Sequence, residues 1–454
     1  MAEAKSRFAV MLTLLLMWFA VGFYLQKERY SAGMPLAYFL ALSLIHVPGA
    51  VLYLDSEDMR SDAIWSQRGF EQTVIGMVAF SVGVAVARYI ARCACAKIDL
   101  PGVLAPQDFA KLNRLATLYL WSGVSAYFVL LPISSRVPSL TAIVVPLGSL
   151  LLVGACLRLW IALQLKDRRK YWSTMTLIPL LPLSTVVQAG FINFGTSWVM
   201  IIGSFIYAQS KRRLGLLLLT PIVIYIGLSV FVDYMQVRND IRKVVWKEHS
   251  FADGLQVVED RILSHFDWFD LANPIHRKAL NDRLNQNLFV GRAMQRLEAG
   301  QVSYAYGSTI GDMIIGLIPR AIWPEKPSVG GGKDVVSHYT GLILPTDTSF
   351  GSGQVFDFYV NFSTLGVIGG FLLWGWFLGT GDFLIIKYLH QGDQARFLFW
   401  FLISLSLLNP NGNLLEIFVG AVCSAITASG IGFLLNRRRS SRSSPEFAAR
   451  RTVL

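Results

Sequence analysis

The sequence predicts an all-α, polytopic integral membrane protein with about eleven transmembrane helices and one long external loop that itself contains short helices. Three observations predict it. Of 454 residues, 54% are hydrophobic and only 15% are charged, whereas soluble domains carry about 25% charged residues. Apolar runs close to the ~20 residues that a bilayer requires recur along the chain. Short loops separate these runs everywhere except over residues 234–362.

The apolar runs fall at residues 8–25, 34–54, 71–91, 112–132, 140–163, 172–191, 194–210, 214–233, 363–387, 395–409 and 414–435. Each is expected to be helical, because a backbone group left without a partner in lipid costs several kcal/mol. Lys5 and Arg7 ahead of the first run give it the pattern of a signal peptide. It ends without a convincing cleavage site and ten further spans follow, so it reads as a retained helix. Pro179 and Pro182 are expected to kink the sixth run, which only Ile192 and Asn193 separate from the seventh. The chain divides into residues 1–233 with eight spans, the loop 234–362, residues 363–435 with three spans, and a basic, Ser-rich tail 436–454 expected to be disordered.

The distribution of charge gives the orientation. Basic loops at 27–29, 88–114, 166–170, 211–213 and 387–396, with the tail from Arg437, alternate with neutral or acidic ones at 55–62, 133–139, 192–193 and 409–413. Eleven spans put all the basic loops on the cytoplasmic side, with the N-terminus and the long loop outside and only Lys5 and Arg7 against the rule. The net charge of +12 is therefore topological and belongs with anionic headgroups rather than nucleic acid. Cys93, Cys95, Cys156 and Cys423 lie in or beside apolar runs, so the loop carries no disulfide framework and no thiol nucleophile. No metal-ligand cluster and no cofactor motif occurs, and no repeat suggests a transporter's paired halves.

Within the loop, Leu255, Val258, Ile262, Phe266 and Phe269 recur at helical spacing, and residues 279–297 form a second helical stretch with Arg292 and Arg296 on one face. Residues 308–318 are apolar but too short to span, which suits a re-entrant or interfacial segment. They lead into Ile318-Pro319-Arg320-Ala321-Ile322-Trp323-Pro324-Glu325-Lys326-Pro327. Its prolines stiffen the backbone, Trp323 suits the membrane interface, and Arg320 and Lys326 ride on the stiffened arm. Gly330-Gly331-Gly332-Lys333 follows, where bare amides beside a cation can form an anion nest. It is not a nucleotide P-loop, since the Lys-Ser/Thr ending and the preceding strand are missing. The segment reads either as an interfacial anchor or as a basic surface for a lipid-linked diphosphate. His46, in the second span before Pro48, reads as a neutral residue bonded to a carbonyl that the proline leaves free. Arg158 reads as structural. Asn409-Pro410-Asn411-Gly412-Asn413 is a polar outer turn that reads as a plain turn or, with Glu416, as part of a sugar site.

The run I-P-R-A-I-W-P-E-K-P, followed by G-G-G-K, by Phe356-Asp357-Phe358-Tyr359-Val360-Asn361-Phe362 and by Gly366, resembles the oligosaccharide repeat-unit polymerases of bacterial O-antigen and exopolysaccharide pathways, the Wzy type. Residues 300–375 carry the resemblance. Asp357 stands where those proteins are expected to have Glu, which keeps the charge and shortens its reach. The resemblance implies a GT-C-like membrane glycosyltransferase in the bacterial inner membrane, acting at the periplasmic face without a metal and with its C-terminus cytoplasmic. It would move a growing glycan from one undecaprenyl diphosphate onto a repeat unit carried by another. That chemistry needs a base for the acceptor hydroxyl and cations for the leaving diphosphate. Asp357, then His338, then Asp347 are the candidate bases. Arg320 and Arg292 are the diphosphate ligands, Lys326 and Lys333 support them, and Tyr359 and Asn361 position a sugar. Expected partners are the lipid-linked oligosaccharide, membrane lipid, a chain-length regulator and a flippase. An O-antigen ligase shares the donor and differs in acceptor. A lipid-linked oligosaccharide flippase would instead carry charges along several spans and only short loops, and a sortase-like peptidase would need an outer cysteine.

Overall fold

The computed structural model describes residues 2–26, 30–54, 60–95, 106–134, 140–210, 213–248, 266–318, 332–343 and 351–449, with single residues 259, 322, 323 and 325. All regular structure among them is helical. The helices are α1 (Ala2–Leu25), α2 (Met34–Leu52), α3 (Arg60–Cys95) and α4 (Pro106–Ser125), the last continued by a π-turn over Ala126–Leu130 and a final turn over Leu131–Ser134. Then come α5 (Thr141–Gly148), α6 (Leu150–Leu165), α7 (Arg168–Met175), α8 (Leu180–Ala189), α9 (Ile192–Gln209) and α10 (Arg213–Glu248). Four loop helices follow: α11 (Pro274–Arg283), α12 (Asn287–Glu298), α13 (Ser308–Leu317) and α14 (Gly332–Thr340). The chain ends with α15 (Gln354–His390), α16 (Gln394–Leu407) and α17 (Leu414–Ala449).

Among the described residues, eight stretches are long and apolar enough to cross a membrane: Arg7–Leu25, Met34–Leu52, Asp62–Cys93, Asp108–Ser134, Thr141–Leu165, Gly215–Val245, Gln354–His390 and Leu414–Arg437. The protein is a polytopic all-α membrane protein. The sixth expected span is broken as its prolines require: α7 ends at Met175, and α8 begins after a turn with Pro179 as its N-cap. The span helices also reach further than their apolar runs. α10 continues beyond residue 233 to Glu248, and a further helical stretch from Gln354 precedes the expected start near 363, parted from the rest of α15 by the non-helical Phe362 and Ser363. In the C-terminal segment expected to be disordered, α17 runs on through the basic residues to Ala449. Extending a helix that is already nucleated fixes only one further residue per hydrogen bond.

The most extensive helix pair is α3 with α15, and small residues set its spacing. A Cβ on Gly375 would lie 2.0 Å from the Phe80 carbonyl oxygen, and one on Gly83 would lie 2.1 Å from that of Leu372. Gly375 and Gly379 are four apart, the spacing at which helix backbones in lipid approach closely. α10 is different. Leu217, Leu218, Ile222 and Ile224 are exposed along it, an apolar face that the described residues leave largely open.

One end of the bundle receives the described loop residues. The helical pattern expected to run through Phe266 and Phe269 is not continued there: residues 266–270 are irregular. They are tied to α10 by Asp267 N donating to the Asp233 carboxylate (3.2 Å) and Phe269 N donating to Ser229 Oγ (3.0 Å). The rest of that pattern lies outside the described residues. The single helix expected over residues 279–297 is two, interrupted at Leu284-Asn285-Gln286. The interruption has a physical cause in α2, where Pro48 removes a donor from the helix and opens its backbone. Gly49 N donates to Leu284 O (3.2 Å), Gln286 N to Ile45 O (3.0 Å) and Asn287 Nδ2 to His46 O (2.7 Å). His46 Nδ1 lies 2.6 Å from Asn287 Oδ1 and 3.2 Å from Thr73 Oγ1. The histidine is buried and satisfied, but by the side chains of Asn287 and Thr73 rather than by the carbonyl that Pro48 was expected to leave free for it.

Candidate functional site

The first turns of α15 and α17, the short helix α13 and the start of α14 converge at the loop-bearing end of the bundle. They line a cavity of about 20 Å³ that polar Thr309, Asp312, Ser352, Asp357 and Asn413 share with Gly332, Val335, Leu414 and Leu415. That volume is room for about one water molecule.

Asp357 is its centre. It stands in the first turn of α15, after Gly351-Ser352-Gly353, and is buried. Gly353 has φ +76°, a left-handed conformation that spares the turn the cost of a Cβ, and its carbonyl starts the helix by accepting from Asp357 N (3.0 Å). The carboxylate receives Leu414 N at 2.9 Å. Leu414 is the first residue of α17, so Asp357 caps another helix's N-terminus, where exposed amides and the helix dipole favour a negative charge. Ser352 and Glu416 lie close to the same carboxylate. Asn413 Oδ1 accepts from Glu416 N (2.7 Å), so the polar outer turn is part of this site. Gln286 Nε2 bonds to Asn411 Oδ1, Gln354 Nε2 donates to Asn409 O (3.2 Å), and Tyr38 OH bonds to Gln354 Oε1.

The other expected site residues are distributed unevenly. Asn361 belongs to the same wall: its Oδ1 accepts from Gly307 N (2.9 Å), and its Nδ2 lies 2.7 Å from both Thr309 Oγ1 and Asp357 O. Its amide is thus engaged in seating α13 against α15. Tyr359 is buried near Tyr304 and Ser363, with the Tyr304 and Tyr359 rings 6.5 Å apart. Lys333 is half-buried and follows the cavity-lining Gly332. His338 is exposed on α14 and lines no part of the cavity; its carbonyl accepts from Arg296 (3.0 Å). Arg292 pairs with Asp62 at 3.2 Å, which fastens α12 to the start of α3. Arg68 does the same from the other side with a bidentate bond to Glu298. Arg320, Lys326, Asp347 and most of the glycine run lie outside the described residues; Ile322, Trp323 and Glu325 of the proline-rich arm are exposed.

The sequence reading missed Ser352, Thr309 and Asp312. Asp312 had a usable signal, a lone carboxylate within the apolar run STIGDMIIGLI, since a charge in such surroundings is costly without a purpose. Among the described residues no group of three or more His, Cys, Asp or Glu side chains is placed to hold a metal ion.

Residues 104–380 match a family described as a domain of unknown function (DUF8712), and with more than half of its length covered the chain belongs to that family. The matched stretch includes Asp312, Asp357 and Asn361 but not the 409–416 turn that closes the cavity, nor His46. No curated protein and no solved structure matches the chain.

Proposed function

We propose that this DUF8712 protein polymerises undecaprenyl-diphosphate-linked oligosaccharide repeat units into O-antigen or exopolysaccharide, as a helical membrane glycosyltransferase of about eleven spans in the bacterial inner membrane. The loop-bearing end of the bundle is then the periplasmic face. The observation that carries the reading is the Asp357 carboxylate, buried against a small cavity at one end of a membrane bundle, on the motif that resembles those polymerases. A buried carboxylate bordered by amides and hydroxyls can accept a proton from a sugar hydroxyl.

In this reading the acceptor sugar enters where α13 and α14 close over the cavity, whose volume of about 20 Å³ requires these helices to part first. Asp357 takes the acceptor proton as the new glycosidic bond forms and the bond to the donor diphosphate breaks. Arg320, Lys326 and Lys333 receive the negative charge that develops on the diphosphate, with Arg292 joining them if its bond to Asp62 opens. His338 is the weaker choice for the base, being exposed and off the cavity wall.

The test is chain extension by the purified full-length protein on a synthetic undecaprenyl-diphosphate repeat unit. A ladder of products is expected, lost in Arg320→Ala and Asp357→Asn. No ladder from the wild type, or an undiminished ladder from both variants, would overturn the assignment. A single transfer to lipid A core without a ladder would favour the ligase.

A further inference from the structure

At the same end of the bundle, α10, α11 and the turn between α8 and α9 meet around three arginines. Arg238 and Arg242 lie one helical turn apart on α10, and therefore on one face. Arg283 is in the last turn of α11. All three are half-buried. Arg242 donates from Nε to Gly190 O (3.1 Å), and its guanidinium lies 4.4 Å from the centre of the Phe191 ring. Tyr234 OH donates to the same carbonyl at 2.7 Å. Arg238 reaches the Met235 sulfur at 3.9 Å. Among the described residues, the charged side chains that act on Arg238 are Arg283 and Arg242. Those that act on Arg283 are Arg242 and its exposed chain neighbour Asp282. Burial, and after it the Arg242 charge, hold the Arg283 guanidinium below its ordinary range.

Gathering like charges while withdrawing them from water is unfavourable on both counts. A compact anion with several acceptor oxygens reverses both, and planar guanidiniums meet phosphate oxygens in pairs. Further along the same helix, α10 carries the exposed apolar face of Leu217, Leu218, Ile222 and Ile224. The cations at one end and the bare apolar face beyond them suit the two halves of a lipid.

We propose that Arg238, Arg242 and Arg283 form a binding site for the phosphate-bearing headgroup of a membrane lipid whose hydrocarbon chain lies along the exposed face of α10. A polymerase handles two lipid diphosphates at once. The use of this site for one of them rests on the function proposed above, whereas the site itself does not.

The experiment uses the full-length protein in non-ionic detergent, with retained lipid counted by native mass spectrometry against added undecaprenyl diphosphate or phosphatidylglycerol. The double variant Arg238→Gln/Arg283→Gln is compared with Arg238→Lys/Arg283→Lys, and a melting profile of each checks that it is folded. The glutamine variant is expected to bind the resident lipid at least about tenfold more weakly and the lysine variant to recover part of that loss. Without lipid the glutamine variant is expected to melt no lower than wild type, since it has lost a repulsion. A loss confined to undecaprenyl diphosphate makes the site a substrate site, and a loss confined to phosphatidylglycerol makes it a structural lipid site. Unchanged binding of both lipids overturns the proposal. Wild-type protein that binds lipid through these arginines but extends no chain would instead remove the polymerase reading and leave the site standing.

Discussion

Asp357 is asked to do two things, and replacing it with asparagine and with alanine separates them. As a structural group, its carboxylate accepts from Leu414 N at 2.9 Å and caps α17 from outside. Replacing a cap with alanine costs about 0.5–2 kcal/mol, and losing a negative charge at a helix N-terminus costs about 0.3–1 kcal/mol at a surface and up to ~2 kcal/mol in partly buried geometries. Asp357→Ala should therefore destabilise by roughly 2–3 kcal/mol. Asp357→Asn keeps an oxygen in place; it gives up about 1 kcal/mol at the helix end but relieves the cost of burying a charge, so its net change in stability should be small. As a base, the carboxylate is worth about 10²–10⁴ in rate, which asparagine cannot supply. Melting in detergent and chain extension are measured on the same preparations. A small loss in melting temperature with a hundredfold or greater loss of extension is expected for Asp357→Asn. An asparagine variant that extends chains at wild-type rate, beside an alanine variant that melts early, would refute the reasoning and leave Asp357 as a helix cap only.

Other perturbations test the frame that holds the site. Gly375→Val drives a side chain into the Phe80 carbonyl, 2.0 Å from where its Cβ would lie; overpacking of this kind costs about 1–3 kcal/mol, and a thermal melt should show it clearly against an exposed control such as Leu373→Val. Asn287→Ala leaves His46 and the opened backbone of α2 without the partners they have now at 2.6 and 2.7 Å, an expected loss of about 1–3 kcal/mol per buried group that faster amide exchange in residues 45–49 would report. Ser363 sits at φ 55°, ψ −152° inside α15, a conformation reserved almost wholly for glycine and costing about 1–3 kcal/mol otherwise; Ser363→Gly should raise the melting temperature, and a drop would show that its side chain matters more than the strain. The Arg68–Glu298 pair is partly exposed, at 35% and 42%, so a double-mutant cycle should return about 1 kcal/mol or less.

Much of the architecture was legible because lipid makes demands that composition must meet. The apolar runs and the proline break between α7 and α8 could be read from residue order, though among the described residues eight stretches rather than the eleven expected are long and apolar enough to span. The site was legible only in part. Asp357 and Asn361 could be singled out, since they interrupt an apolar helix start within a distinctive motif. Their partners could not, because Leu414 is 57 positions from Asp357 and offers a backbone amide, which has no residue type to notice. The interruption at Leu284–Gln286 was equally hidden. Its helical periodicity is good, and it breaks only because Pro48, more than two hundred residues earlier, leaves α2 open to the backbone and side-chain bonds it receives there. The arginines of α10 and α11 were passed over for a related reason: each looks like an ordinary surface charge until two helices bring them face to face.

α15 carries a second carboxylate that mirrors Asp357. Asp382, buried near the other end of the helix, accepts from Met34 N at 2.9 Å, the first amide of α2. Between the two acids the chain passes through the non-helical Phe362 and Ser363, so α15 is two helical arms rather than one straight rod, and each arm carries one acid. α15 is thus pinned at both ends to the start of a different helix. Sliding either arm along its axis by a single residue, about 1.5 Å, would pull its acid off the amide it holds. Each arm is held at the level of the helix whose start it caps, and the Asp357 arm forms the wall of the cavity on that side.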